Sequence, residues 1–278
     1  MNLKSYAKIN FYLHVGQKEG DLHNIASFAF PISLYDDITI EIEKSGKIII
    51  ECDKEEVPCN EDNLCYKAIE VLKKKMNIKW GFKIRIIKRI PMMAGLGGGS
   101  SNAATVLRGI NDLLGLGLTT KELIEIGKEV GSDVPFFILN KPAEIRGVGD
   151  KLRRIKAPLP FWVIIIKPEG GVSTKEAYRL FDEKKQETSI DVYDLLKEGN
   201  YQEAFLKSNN DLEEGSKKLC PSISEVEERL SKYGLQYIRM SGSGSSVFAL
   251  SSNRKELMDI QKELQDVYPF VCVVHPLV

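Results

Sequence analysis

The sequence carries no excess of charge of either sign, because its 278 residues contain 39 Lys and Arg against 39 Asp and Glu. Proteins that bind nucleic acid or anionic membranes over a broad surface are usually strongly basic. Histidine is scarce as well, and the 3 histidines, His14, His23 and His275, lack the spacing of metal ligands. We therefore expect no nucleic-acid partner, no membrane partner and no metal site built from histidines.

Long hydrophobic runs are also missing. A membrane-spanning helix needs about 20 apolar residues, and no run in this chain is that long. Residues 1–15 alternate between apolar and polar side chains and lack the apolar core of a signal peptide. The 5 cysteines are odd in number and form no Cys-x-x-Cys pair of a zinc or redox site. These absences predict a soluble, cytoplasmic protein.

The chain has the apolar content of a globular protein, 43%, and its length predicts about two domains. Pro158 and Pro160 mark a boundary, so we predict an N-terminal domain over 1–157 and a C-terminal domain over 158–278. Nothing in the sequence predicts an oligomeric state.

Alternating and helical patterns predict the elements of both halves. In the first half, the opening strand should break over 15–20, residues 38–43 and 47–52 read as a β-hairpin across Ser45 and Gly46, and 62–76 reads as a helix. In the second half, the strands are expected at 161–166, 235–239, 246–250 and 270–275, with helices between them, among them 254–264. Without its extra helices, the second half has the order βαββαβ.

A glycine-serine loop stands between a predicted strand and an Ala-rich predicted helix. The segment consists of Pro91, Met92, Met93, Ala94, Gly95, Leu96, Gly97, Gly98, Gly99, Ser100 and Ser101. At a helix N-terminus the unpaired N–H groups carry partial positive charge, which makes phosphate the natural ligand. Ser100 and Ser101 add hydroxyls that donate to phosphate oxygens or hold Mg²⁺. A flexible linker is the alternative, but linkers rarely occupy such a position.

Two common nucleotide motifs do not fit this loop. A Walker A loop requires a lysine before its last Ser or Thr, and the segment contains none. A dinucleotide fingerprint requires a third glycine where Ser100 stands and an acid after a second strand, whereas Asp112 lies in the same predicted helix.

Asp133 follows Gly131 and Ser132, where Gly131 should end a helix that begins at a capping box of Thr119 and Glu122. Its carboxylate is either a base in a partly apolar setting or a residue that only caps the turn. These two interpretations are about equal on local sequence alone.

Two further segments contain polar residues in suggestive positions. Strand alternation puts Lys8 and Asn10 on one face, which is either a solvated face or part of a site. The segment from Met240 to Ser246 alternates Ser and Gly between two predicted strands and is longer than a hairpin needs, which favours a loop that closes on a ligand.

Together, these segments resemble the GHMP kinase superfamily. The resemblance rests on residues 7–10, 95–101, 131–136 and 239–244, in this order, and spans nearly the whole chain. It implies an α+β protein in two domains, an N-terminal α/β domain of the ribosomal S5 domain 2-like type that binds ATP and a C-terminal ferredoxin-like domain, with the active site in the cleft between them. It also implies ATP and Mg²⁺ as cofactors.

The resemblance implies a kinase acting on a small alcohol, the 2-hydroxyl of a cytidine diphosphate-linked methylerythritol. By position, Asp133 matches the catalytic base, Lys8 the lysine beside it and residues 91–101 the phosphate loop. The matching positions for substrate are Asn10, His23, Tyr178, Ser241 and Gly242. Alternatives are another kinase of this superfamily, acting on a mevalonate-like alcohol, homoserine or a sugar, and a sensor that binds nucleotide without turnover.

The chain departs from the family pattern at three positions. It has Asp21-Leu22-His23 where the family usually has Gly-Tyr-His, Met93 where glycine is frequent, and Asn102 where aspartate is frequent. Because Leu22 cannot stack as an aromatic ring does, we expect only Tyr178 to stack on the cytosine ring of the substrate.

Overall fold

The structure is a computed structural model that describes residues 1–20, 22–156, 158–182 and 191–278. Contacts divide the chain into two units. The first unit consists of residues 1–7, 34–90 and 97–140, and the second of residues 8–33, 91–96 and 141–278. The predicted domain boundary at 157 and 158 stays a prediction, and both Ala157 and Asp21 lie outside the described residues.

The first unit contains strands of a sheet. These strands belong to β1 (Asn2–Glu19), β2 (Leu22–Glu43), β3 (Ile48–Cys52) and β4 (Gly81–Ile87). In the sheet, β4 lies between β2 and β3 although it follows both of them in the sequence. Strand β4 pairs antiparallel with residues 37–43 of β2 and parallel with β3. The predicted hairpin between 38–43 and 47–52 is therefore wrong, because β4 lies between these two strands. The predicted break over 15–20 is also wrong, since β1 continues to Glu19.

Four helices complete the first unit, and their ends follow ordinary capping chemistry. They are α1 (Leu64–Met76), α2 (Gly98–Leu114), α3 (Thr120–Val130) and α4 (Val134–Leu139). Asn63 caps α1 by accepting a hydrogen bond from Cys65 N–H, and Thr119 and Glu122 form the predicted capping box of α3. Ala103, Ala104, Leu107 and Ile110 form the buried face of α2. This face anchors the helix that follows the glycine loop.

The second unit contains the βαββαβ order that the sequence predicts. Its strands β7 (Trp162–Lys167), β8 (Tyr237–Met240), β9 (Val247–Ser251) and β10 (Phe270–Val274) form an antiparallel sheet in the order β10-β7-β9-β8. This is the strand order of a ferredoxin-like sheet. In the same unit, residues 25–29 of β2 pair with β5 (Ala143–Gly147), which pairs with β6 (Lys151–Arg154).

Among its described residues, the second unit also contains six helices, and some of them pack on that sheet. They are α5 (Thr174–Asp182), α6 (Tyr193–Glu198), α7 (Tyr201–Leu206), α8 (Glu213–Leu219), α9 (Ser222–Lys232) and α10 (Arg254–Leu264). Ile164 and Ile166 of β7 are fully buried against Val226 and Leu230 of α9 and Leu257 of α10 in one apolar core. Among the described residues, every helix is too short or too polar to cross a membrane.

Candidate active site

The first part of the glycine-serine loop (residues 91–101) contacts the loop from Met240 to Ser246 through backbone hydrogen bonds. We call this second loop the Ser-Gly loop. Ser245 N–H donates to the Met93 carbonyl at 3.2 Å, and Ser246 N–H donates to the Ala94 carbonyl at 3.3 Å. Gly95 has a φ of 70°, and a Cβ on it would lie 1.9 Å from the Ser241 carbonyl oxygen. Only glycine fits there, so the residue type at 95 allows the two loops to approach each other.

The second part of the loop begins helix α2 without a capping side chain. Gly97 is the N-cap, with a φ of 70°, and Ser101 N–H makes the first helical bond, to the Gly97 carbonyl, at 2.9 Å. The N–H groups before Ser101 therefore lack intrahelical acceptors. A Cβ on Gly98 would lie 3.0 Å from Lys88 Nζ, so an ammonium group lies next to this helix start. Backbone donors and a cation together suit a phosphate group.

Lys88 is held in place by a buried carboxylate. Its Nζ donates to Asp36 Oδ2 at 2.5 Å, and Asp36 Oδ1 accepts from the N–H groups of Arg89 and Ile90 at 2.7 and 2.8 Å. Sequence reasoning did not identify this pair, and only the position of Lys88 just before the loop could have indicated it.

The two serines of the loop differ in their surroundings. Ser101 is buried, donates to the Tyr6 carbonyl and accepts from Ser5 Oγ at 2.8 Å. The same Ser5 hydroxyl lies 2.8 Å from Asn102 Oδ1. Ser100 is only half-buried. Ser100 is therefore the loop hydroxyl better placed to contact a ligand, while Ser101 stabilises the helix start.

Lys8 and Asn10 form a buried polar pair in the second unit. Both are 5% exposed, and Lys8 Nζ donates to Asn10 Oδ1. Asn10 N–H donates to Ser241 Oγ at 3.2 Å, and its side-chain amide donates to Ser27 Oγ at 2.8 Å. The solvated-face interpretation of this strand is thus wrong. Because burying an ammonium group is costly, its retention points to a site.

The Ser-Gly loop is held in place by hydrogen bonds to other residues of the second unit. Ser241 Oγ donates to the Gly95 carbonyl at 3.1 Å, and the Asn210 amide donates to the carbonyls of Met240 and Gly242 at 2.9 and 2.8 Å. Gly242 has a φ of 57°. The structure thus brings Lys8, Asn10, Ser241, Gly242 and Gly95 together, whereas the sequence pattern placed only Lys8 and Asn10 on one face. Asn210 has no local motif around it and was not predicted.

Arg239 fixes the strand that leads into this loop. Its guanidinium donates to the Phe11 carbonyl at 2.6 Å and to the Phe205 carbonyl at 2.7 Å, and it lies over the Phe205 ring. Burial lowers the pKa of Arg239 to about 10, so the side chain stays protonated at neutral pH. Its hydrogen bonds go to backbone carbonyls and to the Ser208 hydroxyl, so Arg239 holds these segments of the second unit together.

Asp133 occupies the N-cap position of α4, in the first unit, and is half-buried. Its side chain makes no capping hydrogen bond to that helix. Gly131 ends α3, as predicted. The geometry therefore does not support the interpretation that Asp133 only caps the turn, and its carboxylate remains available for chemistry.

His23 and Tyr178 form an aromatic pair in the second unit. Their ring centroids lie 5.0 Å apart with an interplanar angle of 26°, and His23 Nε2 lies 2.6 Å from Asp182 Oδ1. Leu22 is exposed and Met93 adopts a left-handed φ of 49°, a conformation that glycine adopts without strain. Within the described residues, no group of three His, Cys, Asp or Glu side chains could hold a metal.

Comparison with known proteins adds to this geometry. The family model for the GHMP kinases N terminal domain matches residues 63–141, and that for the GHMP kinases C terminal domain matches residues 192–269. The 4-diphosphocytidyl-2-C-methyl-D-erythritol kinase of Alkaliphilus metalliredigens is 39% identical over 96% of this chain and 94% of its own. The kinase of the same name from Geobacter metallireducens is 39% identical over 92% of this chain and 91% of its own.

Solved structures agree with the sequence relatives. A crystal structure of 4-(cytidine 5'-diphospho)-2C-methyl-D-erythritol kinase superposes with a TM-score of 0.82 at 29% identity, covering 99% of both chains. The mevalonate kinase of L. major shares the fold, with a TM-score of 0.76 at 16% identity, covering 99% of this chain and 96% of its own. The chain therefore belongs to the GHMP kinase superfamily, in the family of the 4-diphosphocytidyl-2-C-methyl-D-erythritol kinases.

Proposed function

We propose that this protein is an ATP-dependent kinase that phosphorylates the 2-hydroxyl of 4-diphosphocytidyl-2-C-methyl-D-erythritol, a step of the non-mevalonate isoprenoid route. The observation that carries the proposal is the buried Lys8–Asn10 pair in contact with the Ser-Gly loop, in a chain that matches kinases of this name along nearly its whole length. A solvated strand face would not retain such a pair.

The proposed roles follow from the chemistry of each group. The Asp133 carboxylate accepts the proton of the acceptor hydroxyl. The hydroxyl oxygen then bonds to the γ-phosphorus of ATP, and the bond between that phosphorus and the leaving oxygen of ADP breaks. The Lys8 ammonium stabilises the negative charge that develops on that oxygen. Asn10 keeps Lys8 in place through their hydrogen bond. Positioning and charge stabilisation account for most of the rate in phosphoryl transfer.

The segment 91–101 is proposed to hold the phosphates of ATP, which supplies the transferred phosphoryl group. Its fit rests on the free N–H groups at the start of α2 and on Lys88 Nζ beside Gly98. Mg²⁺ is proposed as the second cofactor. Since Mg²⁺ is commonly bound through substrate phosphates with few protein ligands, the half-buried Ser100 hydroxyl suffices as a protein contact.

The cytidine end is proposed to bind at His23 and Tyr178, with Ser241 and Gly242 contacting the substrate along with Asn10. In this structure the Tyr178 ring stacks on the imidazole ring of His23. We also propose the domains 1–157 and 158–278 and a cytoplasmic location, in keeping with the small-molecule substrate.

The experiment that tests this function identifies the product. The protein is incubated with Mg·ATP and the cytidine compound, and the product is examined by phosphorus NMR. We expect one ADP for each new phosphomonoester on the methyl-bearing carbon. A phosphate on another hydroxyl, or ADP formed without any phosphorylated acceptor, would overturn the proposal.

A further inference from the structure

His23 is held on three sides by residues of helix α5. Its ring stacks on Tyr178 and meets the Phe181 ring edge-on, with the two ring centroids 6.3 Å apart. Asp182 Oδ1 lies 2.6 Å from His23 Nε2. The His23 side chain is 7% exposed, whereas that of Asp182 is 42% exposed. The imidazole therefore has a defined orientation, and the carboxylate reaches it from the solvent side.

The hydrogen bond to Asp182 determines which ring nitrogen carries the proton. An ionised carboxylate only accepts hydrogen bonds, so Nε2 must be the donor in this contact. Lys18 Nζ lies 3.9 Å from Asp182 Oδ2, on the other oxygen of the same carboxylate. In the neutral imidazole, Nδ1 then carries the lone pair and acts as an acceptor. Among the described residues, nothing bonds to Nδ1.

An acceptor at Nδ1 distinguishes between pyrimidine bases. Cytosine presents an amino group at its 4-position, which donates, whereas uracil presents a carbonyl oxygen there, which only accepts. An acceptor that faces a carbonyl oxygen in a complex makes no hydrogen bond to it, which costs more than the loss of an apolar contact.

From this geometry we propose that Asp182 is a positioning residue that sets the Nε2–H tautomer of His23 and thereby makes the enzyme prefer a cytidine diphosphate-linked substrate to its uridine counterpart. The proposal rests on the proposed function, because it assumes that His23 meets the base. Asp182 acts only through His23 and touches neither the acceptor hydroxyl nor the phosphates.

The test compares Asp182→Ala with the wild type and with Glu176→Ala as a matched control. Glu176 lies on the same helix and forms an exposed ion pair with Arg179 at 2.9 Å. The ratio of kcat/KM for the cytidine compound to that for the uridine compound is measured for each. We expect the ratio to fall about 10-fold or more in Asp182→Ala, through KM of the cytidine compound, and to stay unchanged in the control.

A second readout separates tautomer control from a merely structural effect. Nitrogen NMR of histidine-labelled protein, with the His23 signals assigned from a His23→Asn variant, should show Nε2–H in the wild type and a tautomer mixture in Asp182→Ala. An unchanged tautomer, or equal losses for both substrates together with a lowered Tm, would overturn the proposal.

The wild type separates failure of this proposal from failure of the proposed function. Turnover of both compounds with no preference would leave the kinase function standing and overturn the role of Asp182. If neither compound turns over, binding of CMP and UMP is measured by calorimetry in the wild type and the variant. A preference for CMP that Asp182→Ala abolishes would then support the proposal, and equal or absent binding would overturn it.

Discussion

Asp133 is the residue on which the proposed chemistry depends most. It stands at the N-cap of α4 without capping that helix, so replacing its carboxylate removes little structural support. We predict that Asp133→Asn lowers kcat about 10²–10⁴-fold, because general-base catalysis contributes a factor of that order. KM for ATP should change less than threefold or so, since the base acts in the transition state.

Asp112→Asn is the matched control, because Asp112 is an exposed carboxyl residue near the end of α2. It should retain wild-type kcat. Steady-state rates of ADP release for both variants, with circular dichroism to show that they fold, check this prediction. Asp133→Asn with wild-type kcat would show that another group accepts the proton.

Gly95 shows how closely the two loops approach. A Cβ there would overlap the Ser241 carbonyl oxygen, and its φ of 70° is unfavourable for other residues. We predict that Gly95→Ala lowers the free energy of unfolding by about 2 kcal/mol or more. At Gly99 the nearest atom to an added Cβ is 3.8 Å away, so Gly99→Ala should be neutral or slightly stabilising. Urea unfolding compares the two, and equal stability would contradict the close approach.

At the residue level, the residues of the motifs could be predicted from the sequence, whereas the residues that hold them in place through hydrogen bonds could not. Lys8 and Asn10 could be placed on one face from strand alternation, and their hydrogen bond bears this out. Ser27 and Asn210 hold Asn10 and the Ser-Gly loop from positions far away in the sequence. Such contacts depend on tertiary packing, and no local pattern indicates them.

Helix α3 illustrates an element that local sequence determines. Thr119 Oγ accepts from Glu122 N–H, and the Glu122 carboxylate accepts from Thr119 N–H at 2.8 Å. Thr119→Ala should therefore destabilise the protein by about 1 kcal/mol and leave kcat unchanged. Thr120→Ala, at the exposed first position of the helix, is the control and should be neutral. Thermal unfolding measures both, and a Tm equal to that of wild type for Thr119→Ala would contradict the cap's contribution.

The strands of the first unit show where local reasoning fails. Residues 38–43 and 47–52 have the alternation and the turn of a hairpin, yet β4 pairs with both of them. The sequence of the turn does not indicate that the strand after it pairs in parallel with a strand more than thirty residues later. In the second unit, the strands alternate with helices and prolines mark the start of β7, so the order of the elements was predictable.

Folding of the whole molecule should respond to pH through Glu227 on α9. Burial, followed by the charge of Glu213, raises the pKa of Glu227 from 4.5 to about 7, although Lys217 lies 2.6 Å from its carboxylate. A pKa raised in the folded state contributes stability that is present below pH 4.5 and is lost as the pH rises through 7.

Glu227→Gln removes this dependence, so its stability relative to wild type should increase between pH 5 and 8, by roughly 1–3 kcal/mol in all. Glu228→Gln, at an exposed position of the same helix, is the control and should follow the wild type. Urea unfolding at several pH values checks this, and a difference between Glu227→Gln and wild type that does not vary with pH would contradict it.

For the molecule as a whole, the family and its ferredoxin-like sheet were predictable because several motifs occur in one order along the chain. The strand order β10-β7-β9-β8 and the near full-length match to a kinase of the same superfamily confirm both. Substrate identity depends on a few side chains at the cytidine end, where Leu22 departs from the family pattern.

The most direct test of the central claim is a coupled ADP-release assay with Mg·ATP and four acceptors. These are the cytidine diphosphate-linked methylerythritol, free methylerythritol phosphate, mevalonate and homoserine. We predict turnover of the cytidine compound with a kcat/KM at least about 100-fold above that of each other acceptor, since buried polar groups reject substrates that leave them unpaired. Preferred turnover of another acceptor, or ATP binding without turnover of any, would contradict the account.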